Sequence, residues 1–262
     1  MLRSSLHILL TLIFFIGCDE LELNPLDVEN NPDYEAPETT ITTETLEGTT
    51  ITTSSVDISW TGNESVTQYS FKLDSRDWSI WVHHSSVTLR YLDEGPHTFS
   101  VKSRYASMEE DETPANISFT VNAVTGPALM FYPRRTFTVQ DSVVTLQILA
   151  EEVENLMLAT ISISFIDSLI DIESVSQGSF FTGTGESVFI DEMTTGSLTI
   201  YTMLLGGDSP SVSGTGILAE ITVKGKALGS ATLSLNENQV FKNNEDQSIS
   251  IQEKVNGLVV VQ

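Results

Sequence analysis

Residues 141–181 constrain the fold more than any other stretch of the chain. In D-S-V-V-T-L-Q-I-L-A, Val144, Leu146 and Ile148 alternate with Thr145 and Gln147. In A-T-I-S-I-S-F, Ile161, Ile163 and Phe165 alternate with Thr160, Ser162 and Ser164. A period of two sends successive side chains to opposite faces of a strand, whereas a helix repeats every 3.6 residues. Two half-buried strands are therefore expected, joined by a polar turn at residues 151–155. A third, acidic-aliphatic strand, I-D-I-E-S-V-S-Q, follows and closes on Gly178-Ser179-Phe180.

The pattern continues to the C-terminus. Nine strands are predicted, near 128–132, 142–150, 158–166, 170–176, 186–191, 197–204, 217–224, 230–235 and 257–261. Glycines at 178, 183, 185, 206, 207, 225 and 229 separate them as turn signals. Residues 214–229 read G-T-G-I-L-A-E-I-T-V-K-G-K-A-L-G, and residues 256–261 read N-G-L-V-V-V. With the Asn155-Leu156 pair, the aromatic-ended third strand and the Gly-Ser-Phe closure, these blocks resemble a cohesin domain. The resemblance covers residues 126–262, about half the chain. It implies a nine-stranded jelly-roll sandwich, related in fold to carbohydrate-binding modules of cellulases. It also implies a partner-binding face built from the third, fifth, sixth and eighth strands, which in cohesins grips a dockerin. Two departures stand out. Leu158 occupies a position where the family often has Gly, and Phe165-Ile166-Asp167 replaces the family's aromatic-Asp-Pro corner.

Residues 1–18 read as a targeting segment. Arg3 supplies a positive start, and residues 6–16 form an apolar run too short to span a bilayer as a helix. Phe15-Ile16-Gly17-Cys18 resembles a bacterial lipobox. Cys18 is the only cysteine in the chain and stands where lipid attachment requires one. It is therefore expected to be the lipidated mature N-terminus, held in the membrane by about 0.8 kcal/mol per buried CH₂. Residues 19–37 are rich in Asp, Glu, Asn and Pro, a composition that predicts a disordered acidic tether. At about 3.3 Å per residue its reach is roughly 60 Å. The expected location is the cell envelope, at the outer membrane or cell surface.

Residues 38–123 carry short strands at sandwich spacing: V-D-I-S-W, Y-S-F-K-L, V-T-L-R-Y, H-T-F-S-V and I-S-F-T-V. The segment resembles the immunoglobulin-like or fibronectin type III-like modules of bacterial surface proteins. The predicted fold class is thus all-β, with an immunoglobulin-like sandwich followed by a jelly-roll sandwich. Trp60 falls on an apolar strand face and is expected in the core. Trp78 and Trp81, in D-W-S-I-W, are candidates for packing or for a sugar platform.

The net charge of −24 argues against nucleic acid, whose phosphates need Lys and Arg. The second domain has no Cys, no His and no Gly-x-Ser-x-Gly elbow, and its carboxylates show no glycosidase setting. No enzyme activity, cofactor or metal is expected. Residues 243–246, N-N-E-D, lack the alternating ligands and central Gly of a calcium loop. Three functions remain: docking of a dockerin-like protein, binding of a polysaccharide, or a plain envelope stalk. For the first, alternation puts Thr160, Ser162 and Ser164 of the third strand outward. Thr199, Tyr201 and Met203 of the sixth follow the same rule. If the two strands are neighbours, these six residues share one outward face. Tyr201 is its expected anchor, since aromatic residues dominate binding hot spots.

Overall fold

The structure, a computed structural model, describes residues 34–182, 185–207 and 210–262. Cys18, the targeting segment and residues 19–33 of the expected tether lie outside the described residues. No α-helix occurs among the described residues, and two β-sandwiches account for nearly all of them.

The first sandwich contains β1 (Thr39–Ile41), β2 (Thr50–Ile51), β3 (Ser55–Gly62), β4 (Val66–Leu73), β5 (Ser86–Arg90), β6 (Gly95–Tyr105) and β7 (Ala115–Val121). One sheet has the order β1-β3-β5 and the other β2-β7-β6-β4. Inward alternation along β3 and β6 delivers Ile58, Trp60, Phe99 and Val101 to the core between them. Trp60 is 1% exposed, and its ring meets Tyr69 edge-on at 5.9 Å. Residues 34–37, placed by composition in the tether, instead lie along this sandwich. Tyr105 Oη donates to the Glu35 carbonyl at 2.8 Å, Asn63 Nδ2 donates to the Ala36 carbonyl at 2.8 Å, and the Tyr34 hydroxyl bonds Glu109. Two aromatic hydroxyls and one amide thus fix a polar segment that composition alone cannot distinguish from tether.

The second sandwich contains β8 (Ala128–Tyr132), β9 (Arg135–Thr138), β10 (Val143–Ser164), β11 (Ile170–Gln177), β12 (Glu186–Thr194) and β13 (Ser197–Leu205). Then come β14 (Val212–Gly225), β15 (Gly229–Leu235), β16 (Val240–Asn243), β17 (Glu253–Val255) and β18 (Gly257–Val261). The expected turn at 151–155 is not a turn. β10 runs through it as one strand, with register shifts against β14 on both sides of Val153. Glu152 and Asn155 adopt positive φ of 49° and 52°, and their amides donate to the hydroxyls of Thr215 and Ser213. The polar residues therefore form bulges that bend the strand. Val153 and Leu156 meanwhile turn into the core. The bend carries the chain from one sheet to the other. Its first half lies between β8 and β14, and its second half pairs with β13 on one side and β16 on the other.

The glycine-bearing blocks of the sequence meet in space. A Cβ on Gly178 would stand 2.2 Å from the Ile217 carbonyl oxygen, so only glycine lets the end of β11 lie against the β14 backbone. The short 3₁₀ turn that follows, Ser179–Phe181, sends Phe181 into the core and lays the Phe180 ring over Gly216.

At the boundary between the sandwiches, Arg134 is 5% exposed. Its guanidinium pairs with Glu94, and its amide donates to Asp93 Oδ1 at 2.6 Å. Glu94 also accepts the Ala123 amide at 2.9 Å.

Candidate functional site

The β10–β13 pair brings the six expected face residues onto two adjacent strands. Thr160 is directly opposite Tyr201, and Ser162 is opposite Thr199. Met203 is opposite Leu158, and Ser164 is opposite Ser197. Between them Ile161, Ile163, Leu198 and Ile200 are fully buried, which fixes the register because a one-residue slip would expose them.

The outer face extends beyond those two strands. Ile190 of β12 sits opposite Tyr201, and Val240 of β16 sits opposite Thr160. Ile190, Tyr201, Thr160 and Val240 therefore form one row across four strands. Its three large members are 52%, 38% and 41% exposed, in the order Ile190, Tyr201, Val240. The next row is Val188, Met203, Leu158 and Lys242. Leu158, Val188, Ile190, Tyr201 and Met203 enclose a shallow groove of about 330 Å³ with almost wholly apolar walls. Leu158 provides part of that wall. Tyr201 Oη donates to Glu192 Oε2 at 3.3 Å, and the negative charge of Glu192 raises the Tyr201 pKa above its ordinary value.

Ser162 and Ser164 have a different place. The Ser164 hydroxyl donates to Asn236 Oδ1 at 2.9 Å, and Asn236 Nδ2 donates to Ser162 Oγ at 3.1 Å. Gln239 Oε1 accepts the Ser162 amide at 3.0 Å. Both hydroxyls thus hold the loop that follows β15, and the apolar rows lie toward the other end of β10. Val188, Ile190 and Val240 were missed by the sequence reading. Their signal was present as outward apolar residues in E-S-V-F-I-D-E and in the short run V-F-K-N.

The Trp78 and Trp81 rings, considered as a sugar platform, are engaged by cations. Lys72 and Lys102 each stand 5.0 Å from the Trp78 centroid, and Arg104 stands 4.3 Å from that of Trp81. In the N-N-E-D turn, Asn243 Oδ1 accepts the amides of Glu245 and Gln247, and Lys242 pairs with Asp246. These side chains cap their own turn. Among the described residues no group of three His, Cys, Asp or Glu is arranged to hold a metal ion.

No protein-family model matches the chain, and no curated protein does. Solved structures similar to it include a non-cellulosomal cohesin from Archaeoglobus fulgidus, 17% identical, with a TM-score of 0.44, covering 52% of this chain and 90% of that one. The sixth cohesin of Acetivibrio cellulolyticus scaffoldin B, solved with a dockerin, is 18% identical, with a TM-score of 0.46 and coverage of 53% and 100%. A type I cohesin of Clostridium thermocellum, also in a cohesin–dockerin complex, is 10% identical, with a TM-score of 0.45 and coverage of 52% and 98%.

Proposed function

We propose that the chain is a non-catalytic, lipid-anchored cell-envelope protein whose second sandwich binds a dockerin-like protein partner. The observation that carries the reading is the exposed row Ile190–Tyr201–Thr160–Val240 with the apolar groove beside it. A solvated sheet face alternates apolar-in with polar-out. Here the outer side of one sheet carries large apolar groups on all four strands, in a chain of net charge −24. A rigid aromatic anchor, a flexible Met and an aliphatic rim suit a helical or sheet partner with its own apolar stripe. The resemblance of residues 126–262 to cohesins supplies the class of that partner.

The face offers little to a polysaccharide. Flat glycans stack on coplanar aromatic rings, and Tyr201 is the one aromatic among the residues of the two rows. The test of the binding role is titration of the intact chain with dockerin modules encoded in the same genome. Anchoring is tested separately by Cys18→Ser, which should abolish acyl labelling and release the protein. Undiminished labelling of that variant would remove the anchor from the account.

A further inference from the structure

The first sandwich has an open side. β5 ends the β1-β3-β5 sheet and, among the described residues, pairs only with β3, so no described strand lies on its other edge. Such an edge is a template for another chain unless something covers it. β5 borders a groove of about 840 Å³, whose far wall is Phe71, Lys72 and Leu73 of β4. Val87, Thr88, Leu89 and Arg90 line it as four consecutive residues. Side chains alternate between the two faces of a strand, so a groove touched by consecutive residues runs along the strand's edge. Arg135 and Phe137 of the second sandwich border the same groove.

The groove has the opposite sign to the rest of the molecule. Acids outnumber Lys and Arg by 36 to 12 in the chain, yet Lys72, Arg76, Arg90 and Arg135 border this space against Asp77 and Asp93. Among the described residues, none of the three arginines makes an ion pair. Arg135 lies 5.4 Å from the Tyr91 ring centroid and 5.1 Å from that of Phe137, and its buried Nε–H has no acceptor. Burial, and then the neighbouring charge of Arg76, lower its pKa. Unpaired guanidinium groups beside an unpaired sheet edge leave two sets of polar groups to be satisfied. An acidic saccharide can meet the cations and some edge groups with its hydroxyls, but it lacks the regular N–H and C=O alternation of a strand. An extended acidic peptide meets both.

We infer that this groove binds an acidic peptide in extended form, added as an extra strand at the free edge of β5, with Arg90 and Arg135 receiving its carboxylates. The site is separate from the β10–β13 face and stands without it.

The test is fluorescence anisotropy of the intact chain with a labelled hexapeptide of alternating Glu and Val. Saturable binding is expected, weakening as salt is raised. Arg135→Gln and Arg90→Gln should each reduce affinity at least about tenfold, since each removes a charge-assisted hydrogen-bond donor. Circular dichroism checks that both variants remain folded. The same peptide methylated at every backbone nitrogen keeps its charge and cannot join a sheet, so its binding should be lost. The inference is overturned if the unmethylated peptide does not bind. It is also overturned if the methylated peptide binds equally well, or if a galacturonate oligomer binds more tightly than the peptide.

Discussion

Glu94, in the first sandwich, holds Arg134 of the second with one carboxylate oxygen and the Ala123 amide of the linker with the other. A buried guanidinium that loses the one carboxylate ion-paired with it among the described residues is left poorly compensated. Glu94→Ala should therefore cost about 3 kcal/mol, the low end of the range for breaking a buried pair, because Glu94 keeps some contact with water. It should also loosen the coupling of the two sandwiches. Scanning calorimetry is expected to show one transition in the native chain and two in the variant. A single, unshifted transition in Glu94→Ala would show that the pair does not couple them.

The neighbouring Asp93 gives a pH dependence of defined sign. Burial raises its pKa above the ordinary 3.8, more than the Arg134 amide lowers it. The folded chain then holds this proton more tightly than the unfolded chain. Its contribution to stability is greatest in acid and is lost as pH rises from the ordinary value through the raised one. Asp93→Asn retains an oxygen for the Arg134 amide and removes the charge. Thermal melts across the acid range should be flatter for the variant, with a Tm at neutral pH no lower than that of the native chain. A variant with an unchanged pH profile would place the acid-range titration elsewhere.

Gly178 tests the contact between β11 and β14. A methyl group there meets the Ile217 backbone, which cannot rotate away as a side chain can. Gly178→Ala should destabilise by about 2 kcal/mol or more, in line with overpacked cores. Chemical denaturation measures this directly. A loss below about 0.5 kcal/mol, the level of an ordinary surface change, would mean that the two strands separate easily.

Much of this architecture was legible because alternation is a local signal. Leu146, Ile148, Ile161 and Ile163 of the alternating sets are fully buried, while Val144 and Phe165 at the ends of those sets are partly buried. The bend of β10 was not legible. E-E-V-E-N has the composition of a turn, and only pairing with Ser213 and Thr215, some sixty residues away in sequence, makes it a double bulge. Strands β9, β16 and β17, at three or four residues each, are too short to show a period. The hydroxyls of Ser162 and Ser164 read as free because Asn236 is remote in sequence. The pairing of Glu94 with Arg134 joins residues 40 apart in sequence, and no local pattern marks it. Period-two patterning assigns a residue to a face, but it does not show which loop crosses that face.

The central claim is that a protein partner binds across Ile190, Tyr201, Thr160 and Val240. Isothermal titration of the native chain and of Tyr201→Ala with dockerin modules encoded in the same genome tests it most directly. Tyr201 is exposed, so the variant should keep its Tm. Loss of a central aromatic anchor should weaken binding at least about tenfold, or roughly 1.4 kcal/mol. Equal affinity of the native chain and a folded Tyr201→Ala variant, or no binding by any module, would contradict the account.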